Sequence, residues 1–449
     1  MDALPFGRRL LVGFTLFALF FGAGNLIFPP WLGAQAGTVS LIAFAGFLMT
    51  AVGFPILGVM AVAESGGLRA LADRVGSKFS YLFTLLIYLS IGPCLAIPRT
   101  ASTSFEMVGR PILDQMGMLQ LTVAGMSVLT LTQLVYSAFF FLAAYCVALN
   151  PEKLTQRLGR FLCPALLLLI AILWGGAFIH PLGEGAAPTG SYTTNAFFAG
   201  FIDGYQTMDT LAALNFGLVI AMNIRAFGVT SERGVVKETV FAGCIAAVLF
   251  FLVYGALVEL GVGAGGLGRT FENGAQILTA AAGELFGPVG MLILGMVFFI
   301  ACFNTCVGLI ACCANYFTAI LPALGYRAWA AVFALVSMVV SNAGLTLILK
   351  FSIPVLIAIY PIAIVLIVLA LMTLARKKLS EYRFVYPITI FFTGVVSITM
   401  GLEAFGLQVP GLSAAFATLP WATLGLQWVT PAILGFFVGL GGSSLARKR

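Results

Sequence analysis

The stretch FGAGNLIFPP, residues 21–30, interrupts an apolar segment near the N-terminus. A regular membrane helix avoids such residues, because an unpaired backbone N–H or C=O group costs several kcal/mol in hydrocarbon. The simpler explanation is that Gly22 and Gly24 allow close helix packing. Packing explains the glycines but not Asn25 or the pair Pro29–Pro30. We therefore interpret the stretch as a helix interruption whose unpaired backbone groups must be satisfied by protein, water or a ligand.

The rest of the chain has the composition of an integral membrane protein. Of its 449 residues, 61% are hydrophobic and 9% are charged, and the mean hydropathy is +1.08. A soluble protein carries about a quarter charged residues. The apolar runs are continuous rather than alternating, which excludes a β-barrel. The first run is too long, and too closely followed by others, for a cleaved signal peptide.

Twelve apolar runs have the length of membrane-spanning helices. We predict an all-α protein in a single transmembrane domain, with spans at residues 8–34, 38–63, 79–106, 119–149, 158–179, 193–223, 235–262, 287–320, 328–347, 350–374, 384–403 and 418–442. Between spans 7 and 8, the stretch GAQILTAAAGELFG (residues 274–287) has a helical pattern. We interpret it as an extracellular hairpin or lid.

The basic residues supply the orientation. Alternate loops on one side hold nineteen of the 23 basic residues, namely Arg8, Arg9, Arg69, Arg74, Lys78, Lys153, Arg157, Arg160, Arg225, Arg233, Lys237, Arg327, Arg376, Lys377, Lys378, Arg383, Arg447, Lys448 and Arg449. The positive-inside rule then predicts that both termini are cytoplasmic, in a multi-pass protein of the cell (inner) membrane. The net charge of +7 thus marks topology and does not indicate a nucleic-acid partner.

A second interruption falls in the sixth span, in the stretch GFIDGYQTMDT, residues 200–210. Breaks in the first and sixth spans, at corresponding positions of two five-span halves, are typical of inverted-repeat transporters. On this basis we assign repeat one to about residues 8–179, repeat two to about 193–374, and additional helices to about 384–442. The assignment depends on the positions of the breaks, because internal sequence identity is not visible.

Broken helices favour one class of ligand. The N-terminus of a half-helix offers free N–H groups and a partial positive charge to a carboxylate. The C-terminus of a half-helix and unwound carbonyl groups offer oxygen atoms to a cation. Asn304 and Thr305, adjacent in the apolar eighth span, add oxygen atoms suited to a hard monovalent cation. A zwitterionic amino acid and a sodium ion together would use all of these groups.

Three ionisable side chains inside the spans leave several roles open. Asp203 and Asp209 lie in the second interruption. Each could pair with a substrate ammonium group, ligate a cation or carry a proton. Each could instead be a structural partner of a helix end or of Arg99. For Arg99, near the outer end of span 3, we expect a structural role, at the surface or paired with Glu106.

Four motifs resemble the bacterial branched-chain amino acid:cation symporters of the BrnQ type. They are FALFFGAGNLIFPPWLG (17–33), IGPCLAIPRTASTSFE (91–106), GYQTMDTLAALNFG (204–217) and FSIPVLIAIYP (351–361). The resemblance covers essentially the whole chain, and the first two motifs are long and peculiar to that family. It implies sodium-coupled uptake of leucine, isoleucine and valine. It also implies a LeuT-type fold of five plus five helices, with helices 1 and 6 broken and two additional C-terminal helices.

The wider LeuT-type superfamily implies individual roles. Residues 22–25 (GAGN) are similar to the unwound stretch of the neurotransmitter:sodium symporters, and residues 301–305 (ACFNT) are similar to a motif of their eighth helix. The likeness implies a sodium site formed by the carbonyl groups of Ala18, Phe21 and Ala301 and the side chains of Asn304 and Thr305. It implies a substrate site formed by Gly22, Ala23, Gly24, Asn25, Tyr88, Gln206, Thr207, Asp209 and Leu309. The chain departs from the pattern at Asn304 and Asp209, where smaller hydroxyl residues are usual.

Other functions remain as alternatives. Asp203 or Asp209 could make the chain a proton-coupled transporter, or one for a different amino acid, within the same superfamily. A channel and a membrane-embedded enzyme are alternatives of a different class, although the sequence contains no nucleophile–base pair or metal cluster at membrane depth. The glycine-rich stretch at residues 261–266 lacks the βαβ context of a nucleotide site.

The expected partners are therefore a small hydrophobic amino acid, a sodium ion as the coupling ion and the lipid bilayer. We expect no cofactor, no catalytic residues and no obligate protein partner. An aliphatic pocket discriminates a single methylene by only about 1–3 kcal/mol, so leucine, isoleucine and valine should compete and the sequence does not rank them.

Overall fold

A computed structural model describes residues 3–123, 125–150, 160 and 163–447 of the chain. The described residues are almost entirely helical, as expected where apolar surroundings force backbone groups to pair within their own segment. The first nine helices are α1 (Phe6–Phe20), α2 (Ala23–Ala36), α3 (Ser40–Leu48), α4 (Phe54–Ser65), α5 (Leu68–Asp73), α6 (Ser77–Leu89), α7 (Ala96–Gln115), α8 (Val128–Ala148) and α9 (Cys163–Ile179). The other nine are α10 (Tyr192–Asp203), α11 (Asp209–Ala226), α12 (Glu232–Gly265), α13 (Gly274–Ile320), α14 (Tyr326–Ser341), α15 (Leu345–Ala375), α16 (Val385–Ala404), α17 (Leu412–Ala417) and α18 (Val429–Arg447).

Short elements connect these helices. Two strands of two residues each, β1 (Thr122–Val123) and β2 (Met126–Ser127), form an antiparallel pair before α8. Single turns of 3₁₀-helix lie at Gly37–Val39, Gly204–Thr207, Lys377–Glu381 and Ala422–Leu424. Two π-helical turns, Met49–Gly53 and Ser90–Cys94, lie within the second and third predicted spans.

Within the described residues, eight helical runs are long and apolar enough to cross a membrane, and a bent pair, Tyr192–Thr207 with Asp209–Ala226, makes nine. Predicted spans 5 and 9 appear as shorter apolar helices, α9 and α14. The first predicted span is divided, because α1 ends at Phe20 and the following run begins at Ala23. The count of twelve spans therefore stays a prediction. The start of span 5 and the basic residues Lys153, Arg157, Lys448 and Arg449 lie outside the described residues.

Each predicted interruption contains a short non-helical segment, while its other residues are helical. Between α1 and α2, Phe21 (φ −70°, ψ 95°) and Gly22 (φ −129°, ψ −157°) are extended. Between α10 and α11, Met208 adopts φ 68° and ψ 8°, and the two segments meet at an angle of 48°. The left-handed region is uncommon for a residue other than glycine and often marks a functional site.

Helix packing brings the two interruptions together in the interior. α1 packs against α12, and α2 packs against both α12 and α13. α7 packs along α13, while α10 lies against α3 and α11 against α4. The predicted helical stretch before span 8 begins α13, in which Gly287 (φ 55°) marks a sharp bend.

Candidate functional site

A hydrogen bond between side chains joins the two interruptions. Asn25 lies in the first turn of α2, and its Nδ2 donates to Oδ2 of Asp209, the first residue of α11, at 2.6 Å. The Asn25 Oδ1 accepts the Gly22 N–H at 2.9 Å, which caps the start of α2. Both side chains are almost completely buried. One asparagine therefore fixes its own helix start and holds it against the second interruption.

Tyr254 of α12 completes this group. Its hydroxyl oxygen accepts a second hydrogen bond from Asn25 Nδ2 at 2.5 Å and donates to Asp209 Oδ2 at 3.3 Å. Three residues from three separate parts of the chain thus share one closed hydrogen-bond network. The sequence offered no signal for Tyr254, because a single tyrosine in an apolar run resembles any packing residue.

A small cavity of about 30 Å³ lies at this point. A buried water needs at least about 10–15 Å³, so the cavity has room for one or two waters and not for an amino acid. Eight of the predicted site residues line it, namely Gly22, Ala23, Gly24, Asn25, Thr207, Asp209, Thr305 and Leu309. The apolar part of the wall is formed by Leu19, Phe20, Ile91, Ala96, Ala212, Phe216 and Leu309.

The other predicted site residues lie around the cavity or away from it. Gln206 contributes its backbone carbonyl to a neighbouring side chain, while its Oε1 is buried and has no hydrogen-bond partner among the described residues. Tyr88 does not line the cavity. Its ring stacks on that of Tyr316, with the ring centroids 3.8 Å apart. Asp203 accepts the Tyr192 hydroxyl and is also outside the wall.

Of the five predicted cation ligands, which lie where α1 ends against α13, four are fully buried and Thr305 is partly exposed. Ala18, Phe21, Ala301 and Asn304 have no exposed surface. Both polar atoms of the Asn304 side chain lack a hydrogen-bond partner in the described part of the chain. The Thr305 Oγ1 lies 3.5 Å from the Leu19 carbonyl oxygen. A Cβ added to Gly22 would lie 2.7 Å from that hydroxyl, so the glycine keeps the first interruption close to α13.

Arg99 occupies a position that the sequence analysis did not expect. It is 4% exposed, lines the cavity and does not reach Glu106, which pairs with Arg110 at 2.9 Å. Its Nη1 donates to the Gln206 carbonyl oxygen at 2.9 Å. The expectation of a surface position or a pair with Glu106 was therefore wrong. The backbone is non-helical at Gly92 and Leu95, just before α7 begins.

The cavity combines a cation, an anion, free helix ends and an apolar wall in one buried place. The groups that line the cavity are those that bind a small ligand with both polar and apolar parts. The comparison with known proteins agrees with this interpretation. Residues 7–444 match the family model described as branched-chain amino acid transport protein.

The chain belongs to this family. The family consists of transporters and not enzymes. The chain is 39% identical over 439 residues to the branched-chain amino acid permease BraB of Bacillus subtilis, with 97% of this chain and 96% of the relative covered. It is 41% identical over 439 residues to the branched-chain amino acid transport system 3 carrier protein of Pseudomonas aeruginosa, covering 96% of this chain and 95% of the relative. The predicted family is thereby confirmed.

Solved structures show a shared fold at low sequence identity. MhsT in complex with L-phenylalanine has a TM-score of 0.54 at 15% identity, over 97% of this chain and 98% of MhsT. Mhp1, a nucleobase-cation-symport-1 family transporter, has a TM-score of 0.58 at 15% identity, over 98% of this chain and 92% of Mhp1. These are LeuT-fold transporters, so the predicted fold type is confirmed at the level of overall architecture.

Proposed function

We propose that this branched-chain amino acid transporter is a sodium-coupled symporter that imports leucine, isoleucine and valine by alternating access. The observation that carries the proposal is the 2.6 Å hydrogen bond from Asn25 to Asp209, which joins two helix interruptions beside one cavity. Interrupted helices inside a membrane are stable only where protein or ligand satisfies the freed backbone groups. Their ends suit the carboxylate of an amino acid and a small cation.

The surroundings of α13 support sodium as the coupling ion. An uncharged amide oxygen of Asn304, the Thr305 hydroxyl and the last carbonyl groups of α1 are oxygen donors of the kind that hard cations prefer. Burying an unpartnered amide costs free energy, so Asn304 needs a partner that the described residues do not supply. A sodium ion held there would satisfy it and would order the interruption at Phe21 and Gly22.

The size of the cavity supports a transport cycle with alternating access. A volume of about 30 Å³ is too small for leucine, so the helices around it must separate before the amino acid can enter. Sodium binds at the end of α1, the substrate carboxylate meets the start of α2, and the aliphatic side chain packs on the apolar wall. Rocking of spans 1, 2, 6 and 7 against the others then exposes both ligands to the cytoplasm. We retain twelve spans, two five-helix repeats and cytoplasmic termini in the inner membrane as part of this proposal.

The test is uptake of radiolabelled leucine into liposomes that contain the purified protein. An inward sodium gradient should drive saturable accumulation, and excess isoleucine or valine should compete. The same vesicles with equal sodium on both sides, and protein-free liposomes, are the controls. Flux that does not depend on any gradient would contradict a coupled carrier and favour a channel.

Proton coupling is the second candidate, because the Asp209 carboxylate lines the cavity and could carry a proton. Uptake driven by a pH gradient alone, with neither sodium nor lithium present, would identify that mechanism. Uptake driven by sodium alone at equal pH would exclude it.

A further inference from the structure

Two buried side chains of opposite charge line the cavity without pairing with each other. Arg99 is 4% exposed and Asp209 is 2% exposed. Among the described residues, neither has an oppositely charged partner within the 4.0 Å of an ion pair. A buried charge is stable only when it is paired or fully hydrogen-bonded. Within hydrogen-bond distance, each of these groups therefore has only neutral partners among the described residues.

The hydrogen-bond partners of Arg99 are neutral. Its Nη1 donates to the Gln206 carbonyl oxygen at 2.9 Å, and its Nη2 lies 3.5 Å from the Thr207 carbonyl oxygen. Its buried Nε has no partner among the described residues. A guanidinium group binds a carboxylate through two parallel hydrogen bonds. The unsatisfied Nε and the nearby Nη2 leave one edge of Arg99 suited to such an anion.

The start of α2 reinforces this preference for an anion. A Cβ on Gly24 would lie only 2.8 Å from the Arg99 Nη2, so the guanidinium group sits against the first turn of this helix of fourteen residues. The first N–H groups of a helix carry a partial positive charge. Two sources of positive potential thus converge on the cavity beside Gly24, and a carboxylate would satisfy both.

The hydrogen-bond partners of Asp209 are also neutral. The amide of Asn25 and the hydroxyl of Tyr254 both donate to its Oδ2, at 2.6 and 3.3 Å. These hydrogen bonds fix the orientation of the carboxyl group, and neither donor carries a positive charge. An ammonium group in the cavity would supply the missing positive charge.

We propose that Arg99 binds the α-carboxylate and Asp209 the α-ammonium group of the transported amino acid. The zwitterion would complete two ion pairs that the protein leaves open, while its aliphatic side chain packs on the apolar wall that includes Ile91 and Leu309. This inference rests on the proposed function and identifies Arg99 as a residue that determines specificity. The transporter would then reject aliphatic amines and aliphatic carboxylates, which offer only one of the two charges.

The test compares leucine with two analogues, isopentylamine, which lacks the carboxylate, and isocaproate, which lacks the ammonium group. The readout is the concentration of each that halves the binding of radiolabelled leucine to the purified protein. We expect both analogues to compete roughly a hundredfold or more less well than leucine with the wild-type protein. An analogue that competes as well as leucine would overturn the inference.

Variants separate recognition from a structural role. In Arg99→Gln we expect leucine binding to weaken about a hundredfold while isopentylamine binding changes little, so that the preference for leucine is lost. Arg99→Lys should restore part of that preference. Asp209→Asn should reduce discrimination against isocaproate in the same way. Arg110→Gln removes the same charge from an exposed position on the same helix and should leave the preference unchanged.

Equal weakening of leucine and isopentylamine in Arg99→Gln would show that Arg99 only clamps the second interruption, and would overturn the inference. If Arg99→Gln does not fold, the preference for leucine over isopentylamine is compared between Arg99→Lys and the wild-type protein. An unchanged preference in Arg99→Lys would then overturn the inference. A wild-type protein that binds no branched-chain amino acid would contradict the proposed function instead. The two failures are therefore distinguishable.

Discussion

The guanidinium group of Arg9 donates its Nε and Nη2 hydrogens to the two carboxylate oxygens of Glu238, at 2.7 and 2.6 Å. Arg9 lies in the first turn of α1, and Glu238 is buried in the early part of α12. The neighbouring Arg8 donates to the Phe227 carbonyl oxygen at 3.2 Å. This end of α1 is therefore fixed to the bundle at the opposite end of the helix from the interruption at Phe21.

We predict that Glu238→Gln loosens α1. The substitution keeps the shape of the side chain but removes the charge that holds both nitrogen atoms of Arg9. Hydrogen–deuterium exchange in residues 6–20 should become faster, and the accumulation of leucine in proteoliposomes should fall. The matched control is Glu232→Gln, because Glu232 forms an exposed pair with Arg225 at 2.7 Å. Equal exchange in the two variants would show that the Arg9 pair does not restrain α1.

Gly24→Ala should abolish most transport. The added Cβ would lie 2.8 Å from Arg99 Nη2 and 3.1 Å from the Cα of Thr207, and the backbone atom cannot give way cheaply. Overpacking of this kind costs about 1–3 kcal/mol and would push the two interruptions apart. Leucine uptake should fall about tenfold or more at unchanged expression. Gly7→Ala, an exposed control in α1 with nothing within 4 Å of the new atom, should transport normally. Normal uptake by Gly24→Ala would show that transport does not depend on the close packing of Gly24 against Arg99 and Thr207.

The short non-helical segments within the two predicted interruptions arise from different residues. In the first, Gly22 and Asn25 themselves form the non-helical turn and its cap. In the second, the flanking glycines serve packing instead. A Cβ on Gly200 would lie 2.0 Å from the Ala43 carbonyl oxygen, and one on Gly204 would lie 1.9 Å from the Thr50 Oγ1. The turn itself occurs at Met208, whose left-handed backbone no propensity would predict.

The contacts that assemble the site were beyond any local pattern. Asn25 and Asp209 are 184 residues apart, and Asn25 and Tyr254 are 229 apart. Polar residues in apolar spans could be recognised one by one, since each needs a partner in hydrocarbon. Which partner each one has depends on helix packing, and this is why Arg99 was assigned to the wrong surroundings.

Thr305→Ala should raise the sodium concentration required for half-maximal leucine uptake. The variant removes a hydroxyl group that lies between the end of α1 and α13, 3.5 Å from the Leu19 carbonyl oxygen. Loss of one oxygen donor to a charged partner costs about 1.5–3 kcal/mol, or roughly a tenfold shift or more. The control is Thr318→Ala on the same helix, whose hydroxyl donates to Ala314 of its own helix at 2.7 Å. An unchanged sodium dependence in Thr305→Ala would show that Thr305 is not a ligand of the sodium ion.

Tyr254→Phe should weaken leucine binding without preventing folding. The variant keeps the aromatic ring, which packs on Phe47 and Phe250, and keeps the 2.6 Å hydrogen bond from Asn25 to Asp209. It removes the hydroxyl group that orients the Asp209 carboxylate, and a hydrogen bond to a charged group contributes about 1.5–3 kcal/mol. We expect an affinity for leucine that is roughly tenfold lower, measured by binding to the purified protein.

The control for Tyr254→Phe is Tyr326→Phe, since the Tyr326 hydroxyl also makes an interhelical hydrogen bond, to the Ala148 carbonyl oxygen at 2.6 Å, but lies away from the cavity. Both variants should lower the thermal stability, Tyr254→Phe by more, because it loses two buried hydrogen bonds and Tyr326→Phe loses one partly buried hydrogen bond. Only Tyr254→Phe should lower the affinity for leucine. If both variants bound leucine as the wild-type protein does, the network around Asp209 would serve the fold alone, and the interruptions would have to recognise the substrate through their backbone groups.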